Sequence, residues 1–311
     1  MDTQSLKAFI AVADQRSFST AADTLYLTQS AVSKRIKLLE EQLGTPLFDR
    51  HNRTISLTEA GHALLPRAQQ ILDLVSDTEL ELENMTGDVQ GSLTLATSHH
   101  IGLHRLPPVL RQFVQHHPAV ELDLEFLGSE RAYQAVRLRQ VDLALTTLSD
   151  TPSDDIEAIP LWQDDMVCVC SRDHRLATIP NLTLRDLSEE AAILPERDTI
   201  TYRLVADVFS DSALTLRAPM PTNYLETIKM LVSVGLGWSL LPASMVSDFG
   251  AIPTGNENRT AKNALGSDAS LYTLSWPARP LQRKLGVVYL RHRTRSNAAN
   301  ALLDLLNQHK S

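Results

Sequence analysis

Ser17-Phe-Ser-Thr-Ala-Ala-Asp-Thr-Leu-Tyr-Leu-Thr-Gln-Ser-Ala-Val-Ser-Lys-Arg-Ile-Lys-Leu-Leu-Glu-Glu-Gln-Leu-Gly44 decides how this chain folds. Ser17 or Ser19 is placed to cap a short helix whose Ala21, Ala22 and Leu25 allow close packing. Thr28 then sits where a second helix needs its N-cap. Ala31, Val32, Ile36, Leu39 and Leu43 recur at helical spacing and predict a buried stripe. Gly44 ends that helix. The opposite face carries Gln29, Ser30, Ser33, Lys34 and Lys37, with Arg35 beside them. Residues 24–39 contain three cations and no acid. A solvated helix face usually mixes signs. This one presents the amide, hydroxyl and ammonium groups that bond base edges and phosphates.

Upstream, Leu6, Phe9, Ile10 and Ala13 predict a helix over 4–14. Downstream, Pro46 to Leu57 reads as two short strands around a turn at His51-Asn52, a wing. Thr58 and Glu59 open a long helix to about Met85. Leu64, Ala68, Ile71, Val75, Leu82 and Met85 form a heptad-like seam along it, with Thr78 its polar exception. The seam serves a partner helix or the domain's own core. Pro66 lies in the first turns, where its cost is smaller. Thr86 to Ser92 reads as a hinge. Beyond it the pattern alternates strand and helix, which predicts an α/β region with mostly parallel sheets.

The chain has 311 residues and a net charge of −8. Residues 1–60 hold seven Lys/Arg and seven Asp/Glu, so the acidic excess lies entirely in the remainder. A local basic face on an acidic protein suits specific rather than indiscriminate adhesion to nucleic acid. No apolar run reaches a membrane span and no secretory signal opens the chain, so no membrane partner and a cytoplasmic location are expected. Cys168 and Cys170 share one face of a strand, a poor geometry for a disulfide. They read as small buried hydrophobes, with a redox switch as the alternative.

In order and spacing, Phe18-Ser-Thr-Ala-Ala22, Gln29-Ser-Ala-Val-Ser33, Ile36-Lys-Leu-Leu-Glu40, Leu43-Gly44, Leu47-Phe-Asp-Arg50 and Leu57-Thr-Glu-Ala-Gly61 resemble the signature of the LysR-type transcriptional regulators. Val141-Asp-Leu-Ala-Leu145 and Val234-Gly-Leu-Gly-Trp-Ser-Leu-Leu-Pro242 are weaker marks of the same kind. The resemblance implies a winged helix-turn-helix over 1–60 and a linker and dimerisation helix with hinge over 61–88. An effector domain over 89–311 follows, of two α/β subdomains (91–161 with 268–311, and 162–267) like a type 2 periplasmic binding protein. It implies double-stranded DNA as partner, a homodimer assembling to a homotetramer, and possible contact with RNA polymerase. Leu64, Ala68, Ile71, Val75 and Leu82 are the expected dimer contacts.

For DNA, Gln29 and Lys34 are expected at base edges, Ser30 and Ser33 at bases or phosphates, and Arg35 and Lys37 at phosphates. Arg53 resembles the wing residue that family members place in the minor groove. Arg50 is either a phosphate contact or a structural ion pair. Two recognition helices per dimer imply an interrupted palindrome. For the effector, strand ends and helix N-termini single out Thr97, Ser98, His99, Leu103, Ser129, Thr146, Thr199 and Thr201. A small metabolite, neutral or anionic, is the expected ligand, with no cofactor. The alternative is that each hydroxyl caps its own helix.

His99-His100-Xaa3-His104 invites a metal reading, but no Cys or acidic ligand lies at useful spacing, so no metal is expected. A pH-sensing or anion-binding role suits His99 better. The acid-free segment 278–303, with Arg279, Arg283, Lys284, Arg291, Arg293 and Arg295, reads as surface of the first subdomain or as a contact to DNA or an acidic neighbour. An enzyme fused to a winged helix is the rival class. No phosphate loop, nucleophile elbow or metal spacing supports it. A purely architectural DNA binder would not need the large α/β region.

Overall fold

A computed structural model describes residues 1–49, 55–246 and 270–310. The chain divides into two compact units, Met1–Gly87 and Asp88–Ser311.

The first unit opens with helices α1 (Thr3–Gln15), α2 (Phe18–Thr24) and α3 (Gln29–Leu43). Each starts on a capping side chain. Asp2 accepts from Ser5 N–H, Ser17 from Thr20 N–H and Thr28 from Ala31 N–H. Gly44 closes α3 in the left-handed conformation, at φ 67°. Leu6, Phe9, Val12, Ala21, Ala22, Val32, Ile36 and Leu39 make one core. Leu43, expected in the buried stripe, is 41% exposed, because the stripe leaves the core in the last turn of α3. Strands β1 (Phe48–Asp49) and β2 (Ser56–Leu57) pair antiparallel as the stem of the wing. Arg50, Arg53 and the turn at His51-Asn52 lie outside the described residues.

Helix α4 (Glu59–Asn84) follows. Its seam is split, which corrects the reading of a single dimer stripe. Ala68 is fully buried in the unit's own core, and Leu64 and Ile71 pack against that core. Only the later turns carry uncovered apolar side chains: Leu74 at 68%, Leu82 at 60% and Met85 at 80% exposure. Val75 lies between these classes, half-buried. The sequence period is the same in both halves, so it cannot say which half meets the chain's own core.

Among the described residues, the second unit is a seven-stranded sheet with helices on both faces. Its elements are β3 (Gly91–Thr97), α5 (His99–His104), α6 (Leu106–His116), β4 (Val120–Phe126), α7 (Ser129–Arg137), β5 (Leu143–Thr147), β6 (Ile156–Ser171), α8 (Leu184–Glu189), α9 (Ile200–Asp211), α10 (Leu225–Ser233), β7 (Trp238–Pro242), β8 (Leu271–Leu274), β9 (Gln282–Leu290) and α11 (Asn297–Gln308). The stretch between β3 and β4 forms two helices, broken at Arg105. Pro107 and Pro108 have no N–H to continue α5, and they sit in the first turn of α6, where none is needed.

The sheet runs β4-β3-β5-β9-β6-β7, with β8 also on β6. Only β3–β4 and β3–β5 are parallel; β5–β9, β6–β9, β6–β7 and β6–β8 are antiparallel. The expected mostly parallel sheets are thus corrected. The cause is β6, a strand of 16 residues that passes from one lobe into the other beside the returning β9. In the first lobe α6 and α11 cover one face and α7 the other. In the second lobe α9 covers one face of β6 and α10 the other. Alternation along β6 sends Cys168 and Cys170 to the α9 face and Val169 to the α10 face. Both thiols are free and fully buried. Burial holds Cys168 well above the usual thiol range and pushes Cys170 up to about 11. They are protonated and inert.

The lobes meet where Asp164 on β6 stands directly opposite Arg283 on β9. Arg283 Nε and Nη2 donate to Asp164 Oδ2 at 3.0 and 2.8 Å. Arg105 Nη2 reaches Oδ1 at 3.3 Å, and His100 Nε2 lies 3.5 Å from Oδ2. The Asp164 side chain is 1% exposed. Burial opposes its charge, but His100 and Arg283 outweigh that and hold its carboxyl well below the usual carboxylate range. The acid-free C-terminal segment spends its cations at home. Arg283 takes Asp164, Lys284 Asp150, Arg291 Glu157 and Arg293 Asp142, and Arg295 stacks on Tyr289.

Two outcomes follow. A Cβ on Gly61 would run into the Leu47 carbonyl oxygen. Gly61→Ala should therefore destabilise the first unit by about 1–3 kcal/mol in chemical denaturation, although alanine is the better helix former. Asp164 has a depressed folded pKa, so its contribution is present above the unfolded value of about 3.9 and is lost as pH falls below it. Asp164→Asn should cost about 3–5 kcal/mol at neutral pH by leaving Arg283 buried and unpaired. It should also flatten the acid limb of the second unit's stability curve, read by thermal melts from pH 7 to pH 2.

Candidate functional site

The first candidate surface is the N-terminal half of α3. Gln29, Ser30, Lys34 and Lys37 are exposed, and Ser33 and Arg35 are half-buried. Two of the expected contacts are partly committed. Arg35 Nη1 donates to Gln4 Oε1 at 3.1 Å, tying α3 to α1. Ser30 Oγ lies 3.0 Å from the capping Thr28 Oγ1. Lys37 faces Glu41 at 3.7 Å, but both are exposed, and such a pair yields readily to a phosphate. Sequence reasoning passed over Tyr26. It occupies the turn before α3 at φ 53° and is 96% exposed, a conformation usually left to glycine. Its positive φ cannot be read from a tyrosine codon by codon; only the tightness of the turn signals it.

The second candidate site is a cleft of about 430 Å³ between the lobes of the second unit. Ser98, His99, Ser129, Thr199 and Thr201 line it. Three expected residues do not. Thr97 and Thr146 are fully buried, and Leu103 is 49% exposed away from the lining. Neighbouring strand residues point to opposite faces, so Thr147 lines the cleft where Thr146 was expected. The lining further includes His100, Phe126, Glu130, Arg131, Asn223, Tyr224 and Arg283.

Helix N-termini converge here, as the strand–helix junctions require. Thr199 caps α9, accepting from Tyr202 N–H at 3.1 Å and donating to Glu196 O at 2.7 Å. For Thr199 the self-capping alternative thus describes what its hydroxyl does. Ser98 precedes α5 and makes no such cap bond. The next N–H of α9, that of Ile200, is taken across the cleft. It donates to Glu130 Oε1 on α7 at 2.9 Å. Glu130 therefore joins the lobes, and burial pushes its carboxyl above the usual range. His99 forms one wall with Phe126 and Tyr224, ring centroids 5.3 and 5.2 Å away and ring planes at 62° and 85° to its own. Acids outnumber unpaired cations among the lining residues: Glu130, Glu196 and Asp198 stand against Arg131, while Arg283 is held by Asp164.

Beside the cleft, His104 Nε2 lies 3.3 Å from Glu226 Oε1 on α10. Sequence spacing showed no acidic ligand near the histidines; folding brings one from 122 residues away.

No helix among the described residues is long and apolar enough to cross a membrane. The profile of the bacterial regulatory helix-turn-helix proteins of the lysR family matches residues 3–62, and that of the LysR substrate binding domain matches residues 86–252. An HTH-type transcriptional regulator from the ibpB-leuC intergenic region of Azotobacter vinelandii is 65% identical over 108 residues, which are 35% of this chain and 75% of that protein. The HTH-type transcriptional regulator YwqM of Bacillus subtilis is 31% identical over 252 residues, covering 80% of this chain and 84% of its own. Among solved structures, full-length CbnR complexed with its target DNA shares the fold at a TM-score of 0.57 and 21% identity, covering 100% of this chain and 99% of that one. The winged-helix unit, the two-lobed domain behind it and these relatives together place this chain in the LysR family of DNA-binding transcriptional regulators.

Proposed function

We propose that the cleft of this regulator senses a small carboxylate-bearing metabolite, which competes with Glu130 for the N-terminus of α9. The observation that carries this reading is the bond from Ile200 N–H to Glu130 Oε1 across the lobes. A helix N-terminus is a ready anion site, and here a side chain of the opposite lobe already uses it. A ligand carboxylate that takes the Ile200 N–H frees Glu130, and with it α7. Ser98, Ser129 and Thr201 supply hydroxyls to orient the rest of the ligand, and the His99 wall covers a flat or apolar face of it.

At the other end, Gln29, Ser33 and Lys34 read base edges, with Lys37, Arg35 and the Tyr26 hydroxyl at phosphates. Arg53 enters the minor groove, and Arg50 lies at a phosphate. The uncovered turns of α4, around Leu74, Val75, Leu82 and Met85, pair two chains, and two such dimers make a tetramer on an interrupted palindrome. The protein works in the cytoplasm, where its promoter and RNA polymerase are. It is a regulator and not an enzyme, so the output of the cleft is the spacing or occupancy of the reading helices.

Gln29→Ala should cost about 1–3 kcal/mol at one base position and relax preference there. Lys37→Ala should weaken all sequences alike and lower the salt slope by about one unit. Selection from randomised operators at two salt concentrations separates the two effects; equal losses at every base for both would overturn the assignment.

Burial holds the Glu130 carboxyl above its usual range, so as pH falls it is neutralised before a typical ligand carboxylate. Binding of carboxylates found in a thermal-shift screen should tighten as pH is lowered from 7.5 toward the carboxylate range. Glu130→Gln should bind them tighter at pH 7.5 and lose that pH dependence. Weaker binding by the variant would sink the competition model.

A further inference from the structure

His100 and His104 are one turn apart on α5, so their imidazoles share a helix face, with ring centroids 4.9 Å apart. Glu226, in the first turn of α10 on the other lobe, completes a triangle. One ligand atom from each residue lies within 4.8 Å of the other two. The His100 side chain is 4% exposed; its Nε2 faces Asp164, but among the described residues its Nδ1 has no hydrogen-bond partner, and Glu226 Oε2 is buried without one as well. Buried polar atoms of this kind call for a ligand.

We propose that His100, His104 and Glu226 bind a divalent transition-metal ion of the zinc class, and that the ion pins α5 of the first lobe to α10 of the second. Two imidazoles and a carboxylate suit zinc and its neighbours and do not suit magnesium or calcium, which take oxygen ligands. Zinc bonds of about 2.0–2.2 Å put tetrahedral ligand atoms about 3.4 Å apart. His104 and Glu226, at 47% and 38% exposure, have the freedom to close that small difference. Asp164, 3.5 Å from His100 Nε2, is placed to take the N–H of the imidazole nitrogen that does not bind the ion, the arrangement that fixes ring orientation at metal sites. Three protein ligands leave a fourth position facing a hollow of about 400 Å³ lined by Lys229, Ser233 and Ser244. An ion so held stabilises the arrangement of the lobes in which α5 and α10 are neighbours, and so acts as a co-effector of the cleft. The site does not include Glu130, so its failure leaves the carboxylate reading standing.

The test uses the full chain, tag-free and stripped with chelator. Titration calorimetry with Zn2+ alone should give one equivalent per chain, and Co2+ should give the visible absorption of tetrahedral coordination. His104→Ala and Glu226→Gln should each lower Zn2+ affinity by at least about 10-fold. Both should keep the circular dichroism and melting temperature of the metal-free protein, since both positions are partly exposed. The absence of stoichiometric Zn2+ binding overturns the proposal. So does binding that both substitutions leave unchanged, since the ion would then sit at other histidines.

Discussion

The buried pair Asp164–Arg283 is the contact on which the cleft depends. Two lobes joined by two strands would swing freely if those strands could slide. Register along β6 and β9 is fixed because Asp164 and Arg283 stand opposite each other in the ladder. A slip of one residue would turn both to the wrong faces and leave two charges buried alone. The same carboxylate receives Arg105 from the α5–α6 junction and faces His100 on α5. The helix end that presents Ser98 and His99 to the cleft is therefore tied to the crossing itself. Pro160, opposite Gly286, adds a local break: the ladder shifts register between Pro160 and Trp162, where proline can offer no N–H. Trp162 then reaches His309 O at 3.0 Å and anchors the end of α11 on the crossing strand.

What the sequence made legible divides along range. Caps, stops and periodicity act within a few residues, so α1, α2, α3 and most later elements fall close to their expected places. The reading face of α3 is legible for the same reason: a helix turns the positions of Gln29, Ser33 and Lys37 into one surface with no help from elsewhere. The cleft is different. Thr146 and Thr147 are equally plausible until the face of β5 is known, and a one-residue difference inverts it. By sequence Glu130 is indistinguishable from an ordinary first-turn acid of α7, because its partner Ile200 is 70 residues away. The α4 seam misled in a related way. An apolar stripe records that something covers it, and Ala68 is covered by its own unit.

Charge shows the same division of labour. The neutral stretch 1–60 carries three of its seven cations on α3, while the acidic remainder pairs Arg283, Lys284, Arg291 and Arg293 of its basic segment internally. Those arginines are the structural glue of the first lobe. Because those cations are committed within their own unit, the proposed DNA contact rests on α3 rather than on 278–303.

The cleft contains no unpaired lysine and, apart from Arg131, no unpaired arginine among its described lining. A carboxylate bound there is held by backbone N–H groups and helix dipoles, worth about 0.3–1 kcal/mol each and up to about 2 where partly buried. It must also displace Glu130 and tolerate Glu196 and Asp198. Such a balance gives modest affinity, which is what a sensor of an abundant metabolite requires: tight binding would keep the cleft filled at every concentration that matters. It also makes the exchange nearly symmetrical, one carboxylate replacing another on the same N–H. The free energy available to move the lobes is then the difference between two similar contacts. A difference of about 1–3 kcal/mol is the usual size of coupling between distant sites, and it is enough to change DNA occupancy several-fold to a hundredfold. In the proposed competition, Glu130 is the reference ligand against which an incoming carboxylate is measured.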